Sequence, residues 1–168
     1  MNTGIPLHPA LVHIPLGLAI IMPFFTVLVY ILIRQGRLDA RSWLLPVILQ
    51  LVIVAFSFVA MKSGENEEDK VEKVVKEVFI EEHEEAAKVY LATAILSLAA
   101  LAFGLKEGAK KDTVRSASIL LLFAAMGAVM YTGKLGGELV YKHGASSAYT
   151  NSSQSSQLPT IEEKDDDD

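Results

Sequence analysis

Four long apolar runs divide the chain, and each is long enough to cross a membrane as a helix. The first, residues 10–33, contains no ionisable side chain except His13. As an α-helix this run would be about 36 Å long, against a hydrocarbon core of about 30 Å. The other runs are residues 44–61, 86–105 and 116–141. The pattern predicts a four-span membrane domain in residues 1–145, followed by a disordered polar and acidic tail in residues 146–168.

The apolar residues surround each run rather than forming one stripe. In the core of a bilayer, backbone donors must be paired within their own segment, which favours helices. A water-soluble bundle would keep a polar face on each helix, whereas residues 10–33 and 44–60 are apolar around most of their circumference. We therefore expect an all-α fold, an integral membrane four-helix bundle.

Between the second and third runs, apolar side chains recur at helical spacing among carboxylates. The apolar positions are Val71, Val74, Val75, Val78 and Phe79, and the acidic ones include Glu65, Glu67, Glu68, Asp69, Glu72 and Glu77. This pattern predicts an acidic amphipathic helix outside the membrane. Such a helix either covers the mouth of the bundle or attracts a basic soluble partner.

The distribution of basic residues predicts the orientation of the chain. The connections after the first and third runs contain Arg34, Arg37, Arg41, Lys106, Lys110, Lys111 and Arg115. Because short cytoplasmic connections retain lysine and arginine, both should face the cytoplasm of a bacterial inner membrane. The N- and C-termini and the acidic segment should then lie outside.

The four histidines fall at those ends of the apolar runs that are predicted to lie outside. His8 and His13 open the first run, His83 precedes the third and His143 follows the fourth. Imidazole is a common ligand of metal ions and of haem iron. The sequence therefore predicts a cofactor site near the outer face.

Small residues near these histidines have two interpretations. Gly17 lies one turn from His13, and Gly136 lies two turns from His143 on the same helical face. They would leave room for a flat macrocycle beside the ligands, and both are predicted to line a cofactor site. Small residues equally allow close packing of helices, within one chain or between copies in an oligomer, as the Gly133 and Gly137 pair illustrates.

The chain contains no cysteine, which removes covalent c-type haem and iron–sulfur ligation. The leading hypothesis is a b-type haem protein with His13, His83 and His143 as the favoured ligands and His8 as a further candidate. It would exchange electrons with a basic periplasmic redox protein or with quinol, or sense redox state. The first alternative is a zinc, copper or iron ion held by the same histidines with Glu84, Glu85 or Glu138. The second is a structural membrane subunit without a cofactor. No hydrolase motif is found, so an electron-transfer or binding subunit is favoured over a stand-alone enzyme.

Two motifs carry a resemblance to a known family. They are LHPALVHIPLGL at residues 7–18 and GKLGGELVYKHG at residues 133–144. These stretches resemble the opening and closing motifs of a family of bacterial four-helix membrane domains, domain of unknown function 2231. His83 is similar to a histidine that the family tends to place before its third span. Some relatives are joined to redox modules, so the resemblance implies electron transfer.

Overall fold

The structure, a computed structural model, describes residues 6–106, 108 and 110–150. Four long helices account for most of them: α1 (Leu7–Arg34), α2 (Leu44–Val71), α3 (Glu77–Phe103) and α4 (Lys111–Tyr141). A 3-10 turn, Ala40–Trp43, precedes α2, and the short helix α5, Ser147–Thr150, follows α4. Each long helix is long and apolar enough to cross a membrane. The predicted all-helical, four-span fold is confirmed.

The helices form a ring in which each packs mainly against two neighbours. The main contacts join α1 to α2, α2 to α3, α3 to α4 and α4 to α1. His8 at the start of α1 contacts Ala60 near the end of α2, so successive helices run antiparallel. The bundle therefore has two distinct ends. We call them the histidine end, defined by His8, His83 and His143, and the arginine end, defined by Arg34, Arg37, Arg41 and Arg115.

Inside the ring, a small number of polar groups are paired between α2 and α3. Gln50 Nε2 donates a hydrogen bond to the carbonyl oxygen of Ala94 at 3.0 Å. The hydroxyl groups of Ser57 and Tyr90 also lie 3.0 Å apart. Hydrogen bonds of this kind stabilise helix association where lipid provides no competing partner. They fix α2 against the face of α3 that leads towards His83.

Large apolar side chains cover much of the outside of the bundle. Phe24, Leu28, Val89 and Leu120 are all more than half exposed, with Leu120 at 71 %. A water-soluble monomer rarely presents so continuous an apolar surface. The outside of the bundle is therefore suited to lipid, as the apolar runs predict.

The acidic segment is helical, but it is not a separate element. Helix α2 continues to Val71, the chain turns, and α3 begins at Glu77, so the carboxylates lie on the outer extensions of two spans. The last turns of α2 stay bonded to α1, which explains why the helix does not end where its apolar run does. The predicted apolar stripe is divided. Val71, Val75 and Phe79 pack with Ile80, Leu139 and Ala145, whereas Val74 and Val78 are exposed.

The ordered part of the chain extends beyond the boundary predicted at residue 145. Gly144 adopts a φ of 75°, which a glycine tolerates without strain, and turns the chain after α4. Ala145 is then buried against Val75 and Ile80, and α5 follows. The predicted disordered tail is therefore corrected for residues 147–150, and residues 151–168 lie outside the described residues.

Trp43 and Arg115 close the arginine end. The Trp43 ring is fully buried, and its Nε1 donates to the carbonyl oxygen of Leu101 at 3.0 Å. The Arg115 guanidinium stacks 4.8 Å from that ring, and its Nε donates to the carbonyl oxygen of Gly104 at 3.0 Å. A Cβ at position 104 would lie 2.6 Å from Trp43 Nε1, so the glycine is needed for the tryptophan to fit.

Candidate functional site

Two of the four histidines come together at the histidine end. The rings of His8, in the first turn of α1, and His83, early in α3, have centroids 6.3 Å apart and planes at 83°. Because α1 and α3 lie opposite each other in the ring of helices, this contact crosses the middle of the bundle. We call these two side chains the imidazole pair, and they are the centre of the candidate site.

His8 is held by one face of α2. Its Nδ1 lies 2.9 Å from the carbonyl oxygen of Ala60 and 3.1 Å from the Ser63 hydroxyl oxygen. A carbonyl oxygen can only accept a hydrogen bond, so Nδ1 carries the proton. In a neutral imidazole this leaves Nε2 with a free lone pair. A backbone carbonyl bound to Nδ1 orients many metal-ligating histidines in the same way.

A glycine on a neighbouring helix faces each ring. A Cβ at Gly64 of α2 would lie 3.1 Å from Cε1 of His8, and one at Gly136 of α4 would lie 3.2 Å from Cε1 of His83. A methyl group at either position would therefore press on the ring, which would have to shift by a few tenths of an ångström. The sequence associated Gly136 with His143, but the structure places it against His83.

His83 differs from His8 in its hydrogen bonding. Its Nδ1 is buried and has no hydrogen-bond partner among the described residues. Buried polar atoms are nearly always paired, and an exception points to a ligand, an ion or a water molecule. His8 and Glu84 are the ionisable groups within electrostatic reach of the ring. Nδ1 of His83 is thus available for a further interaction, in addition to the Nε2 lone pair of His8.

His13 and His143 lie apart from the imidazole pair. His13 is exposed, and its Nδ1 bonds to the carbonyl oxygen of Pro9 in its own helix. Gly17, predicted to line a site beside His13, has no other residue within 4 Å of its Cβ position. His143 stacks on Phe79, with centroids 3.8 Å apart and planes at 18°. Phe79 lies one turn before His83, so His143 packs beside the same face of α3 without joining the pair.

The carboxylates that the sequence suggested as metal ligands, and Glu82 beside His83, have lysine or tyrosine partners. Glu84 and Glu85 pair with Lys88 at 3.3 and 3.8 Å. Glu82 accepts a hydrogen bond from the Tyr131 hydroxyl at 3.3 Å. Glu138 lies 3.5 Å from the Lys134 ammonium and 3.6 Å from that of Lys142. Within residues 6–106, 108 and 110–150, no three His, Asp or Glu side chains come together to hold a metal ion. The donor set of the site is therefore two imidazoles.

Glu67 belongs to the site although the sequence marked it only as part of an acidic face. Its Oε1 accepts hydrogen bonds from the backbone N–H groups of Leu7 at 2.7 Å and His8 at 3.3 Å. Its Oε2 accepts from the Tyr149 hydroxyl at 2.9 Å. Burial, together with this bond to Glu67, raises the pKa of Tyr149 to about 12.

A pattern in the sequence pointed to this part of the site. Ala60, Ser63, Gly64 and Glu67 follow one another at the i, i+3, i+4, i+7 spacing of a helix face, with small residues before the carboxylate. This face of α2, which we call the α2 stripe, holds both the ring and the backbone of His8. The apolar positions of the acidic segment do not reveal this stripe, because its residues are small or acidic.

No curated protein and no solved structure matches this chain. One family model does match it, over residues 4–148, which include both sequence motifs, the four long helices and every histidine. The description of that family is a predicted membrane protein of unknown function. With most of its length matched, the chain belongs to this family, DUF2231.

Proposed function

We propose that the protein is a membrane-embedded b-type haem protein that transfers electrons or senses redox state, with His8 and His83 as axial ligands. The observation that supports this most is the imidazole pair, two rings from opposite helices with centroids 6.3 Å apart. Two metal–nitrogen bonds of about 2 Å each, plus the half-widths of two imidazoles, give roughly this separation.

The donor set favours haem over a bare metal ion. A protein site for a zinc, copper or iron ion typically uses three or four protein ligands. A haem brings the nitrogens of its macrocycle and takes only one or two axial ligands from the protein. Two imidazoles meet the second requirement, and the carboxylates around them are paired with lysines or with Tyr131. His13 and His143 have no ligand role in this proposal.

The surrounding residues prepare the pair for ligation. The Ala60 carbonyl oxygen holds the Nδ1 proton of His8 and so keeps the lone pair on Nε2. Gly64 and Gly136 allow each ring to lie against a neighbouring helix, and Nδ1 of His83, without a partner among the described residues, gives that ring hydrogen-bonding or ligand capacity. A bound haem would supply one-electron exchange at this position. The side chains themselves provide ligands, orientation and partial exclusion of water.

A visible absorption spectrum of the detergent-purified protein, oxidised and then reduced with dithionite, tests this proposal. We expect a Soret band that shifts on reduction and sharp α and β bands. These features should be lost in His8→Ala and in His83→Ala. They should persist in His13→Ala, the matched control, because His13 is exposed and bonded only to its own helix.

Metal analysis of the same samples separates the alternatives. A featureless spectrum with stoichiometric zinc, copper or iron would replace haem by an ion site. A spectrum and an analysis with neither would support a structural role for the imidazole pair. In that case the imidazole pair would serve only to pack each ring against the glycine of a neighbouring helix.

We further propose that the histidine end faces the periplasm of a bacterial inner membrane. The arginine end has basic connections, whereas the ends of α2 and α3 are acidic, as expected for cytoplasmic and external sides respectively. A haem at the histidine end would exchange electrons with a basic periplasmic protein, whose approach the carboxylates accelerate, or with quinol.

Cysteine labelling tests this orientation, because the chain has no native cysteine. Asp69 at the histidine end and Arg37 at the arginine end are both exposed. In intact cells an impermeant thiol reagent should label Asp69→Cys, and it should label Arg37→Cys only after lysis. The reverse pattern would overturn the orientation.

A further inference from the structure

We propose that Glu67 is the positioning residue of the candidate site. Its carboxylate fixes the first turn of α1, and therefore His8, and links both to the C-terminal segment. The inference rests on the proposed function only in giving His8 a ligand role. The contacts themselves, to Leu7, His8 and Tyr149, are independent of any cofactor.

Among the described residues, the N-cap position of α1 provides no capping side chain. Pro6 occupies the N-cap position and makes no side-chain hydrogen bond, and Pro9 has no backbone N–H. The first N–H groups of a helix lack partners within the helix and need an acceptor from elsewhere. Glu67 provides one from α2, taking the N–H groups of both Leu7 and His8 on Oε1. A carboxylate also interacts favourably with the positive end of the helix dipole.

The same face of α2 holds the side chain of His8. Glu67 lies one turn beyond Gly64 on the α2 stripe, and Ala60 and Ser63 bond the Nδ1 of the ring. The backbone of His8 is thus fixed at one end and its imidazole at the other. Anchoring both ends restricts the ring to one orientation, which a ligand must have before the metal centre binds. Loss of Glu67 would release the backbone end while leaving the ring contacts in place.

The second oxygen of Glu67 connects this arrangement to the C-terminal segment. Tyr149 of α5 donates its hydroxyl to Oε2 at 2.9 Å, and the Lys70 ammonium lies 6.0 Å from the centre of the tyrosine ring. One carboxylate therefore joins the beginning of the described chain to its end. Displacing α5 should therefore change the environment of His8 through Glu67, although His8 and Tyr149 bind different oxygens of that carboxylate.

Nuclear magnetic resonance of the full chain, labelled with [15N]histidine and purified without added haem, tests the inference. The four histidines give few signals, and His8→Gln assigns those of His8. Glu67→Ala should move the His8 amide and ring signals and speed exchange of its amide by roughly threefold to thirtyfold, the range for loss of a helix cap. Glu67→Gln keeps a side-chain oxygen for α1 and should restore both.

Two further variants complete the test. Tyr149→Phe removes the hydroxyl that binds Oε2 of Glu67 and should move the His8 amide signal less than Glu67→Ala does. Asp69→Ala, an exposed carboxylate two positions along α2, should leave the His8 signals unchanged. Unchanged His8 signals in Glu67→Ala, or an equal change in Asp69→Ala, would overturn the inference.

The design also covers a Glu67→Ala protein that does not fold. In that case Tyr149→Phe decides: movement of the His8 amide signal while the His13 signal stays in place supports the inference, and no movement overturns it. Because the His8 signals report the Glu67 contacts and the absorption spectrum reports haem, failure of this test is distinguishable from failure of the proposed haem function.

Discussion

The two ends of the bundle each contain a ring packed against a glycine, but the two rings differ in their hydrogen bonding. At each end a polar ring fills space that a glycine leaves open, Trp43 over Gly104 at the arginine end and His83 over Gly136 at the histidine end. The Trp43 nitrogen donates to the Leu101 carbonyl oxygen, whereas the His83 Nδ1 has no partner among the described residues. A ring buried only for packing is normally satisfied. The contrast is the reason that the proposed function is assigned to the histidine end.

The charged groups differ between the two ends in the same sense. At the arginine end Arg115 is buried and bonded, and Arg34 pairs with Asp112 at 2.8 Å, which joins α1 to α4. At the histidine end most carboxylates of α2 and α3 are exposed. Arg115 is thus a buried charge at the arginine end, whereas at the histidine end Glu67 binds the start of α1 and most other carboxylates face the surroundings.

The largest effect should come from removing the two rings, the buried Trp43 and the half-buried His83. Trp43→Ala should lower the free energy of unfolding by about 3–5 kcal/mol, as for other large-to-small core changes. His83→Ala should cost clearly less, because it also removes an unsatisfied buried nitrogen. Unfolding of detergent-solubilised protein by dodecyl sulfate measures both. Equal losses would contradict the idea that the two ends differ.

Removing the buried charge at the arginine end should have the next largest effect. Arg115→Met keeps much of the side-chain volume but loses the bond to the Gly104 carbonyl and the stacking on Trp43. We expect a loss of about 2–3 kcal/mol in the same unfolding assay. Arg37→Met, at an exposed position in the same end, is the control and should be nearly neutral. A neutral Arg115→Met would show that the charge does not stabilise this end.

Two adjacent glycines sharpen the comparison at the histidine end. A Cβ at Gly136 would lie 3.2 Å from the His83 ring, whereas one at Gly137 would meet nothing within 4 Å. Gly137→Ala should stabilise α4 by about 0.5–1 kcal/mol, the helix propensity difference. Gly136→Ala should offset that gain by displacing His83, for a net loss of about 1 kcal/mol. Equal effects on unfolding would mean that His83 is not held against α4.

The smallest effect should be a change in the alkaline stability of the histidine end. The pKa of Tyr149 is raised to about 12, mainly by burial, so the folded protein retains this proton at pH values where the unfolded chain releases it. Its stabilising contribution should be complete below about pH 10, the ordinary value for tyrosine, and disappear as the pH rises towards 12. Tyr149→Phe should remove this step from the stability profile. The difference in tyrosine absorbance at high pH between the unchanged protein and Tyr149→Phe measures the ionisation of Tyr149. Ionisation of Tyr149 near pH 10, as in an ordinary tyrosine, would contradict its contact with Glu67.

The sequence predicted the spans well because an uncharged run of sufficient length has few alternatives in lipid. The prediction of one separate helix in the acidic segment was wrong. The apolar positions continue at helical spacing through the segment and give no signal for the turn before Glu77. The meeting of His8 with His83 could not be predicted, because it depends on which helices lie opposite each other. The position of Tyr149 on Glu67 was missed for the same reason, as it joins residues 82 positions apart.

The length of α2 determines how the site responds to the lipid around it. The apolar part of this helix, residues 44–61, spans about 27 Å, close to the thickness of a hydrocarbon core. The α2 stripe begins at the end of that part, so in a bilayer of this thickness it would carry His8 at the boundary between acyl chains and headgroups. A thicker bilayer would cover the imidazole pair more deeply, and a thinner one would raise it towards water. Lipid chain length should therefore tune the hydration of the site without any change in its residues.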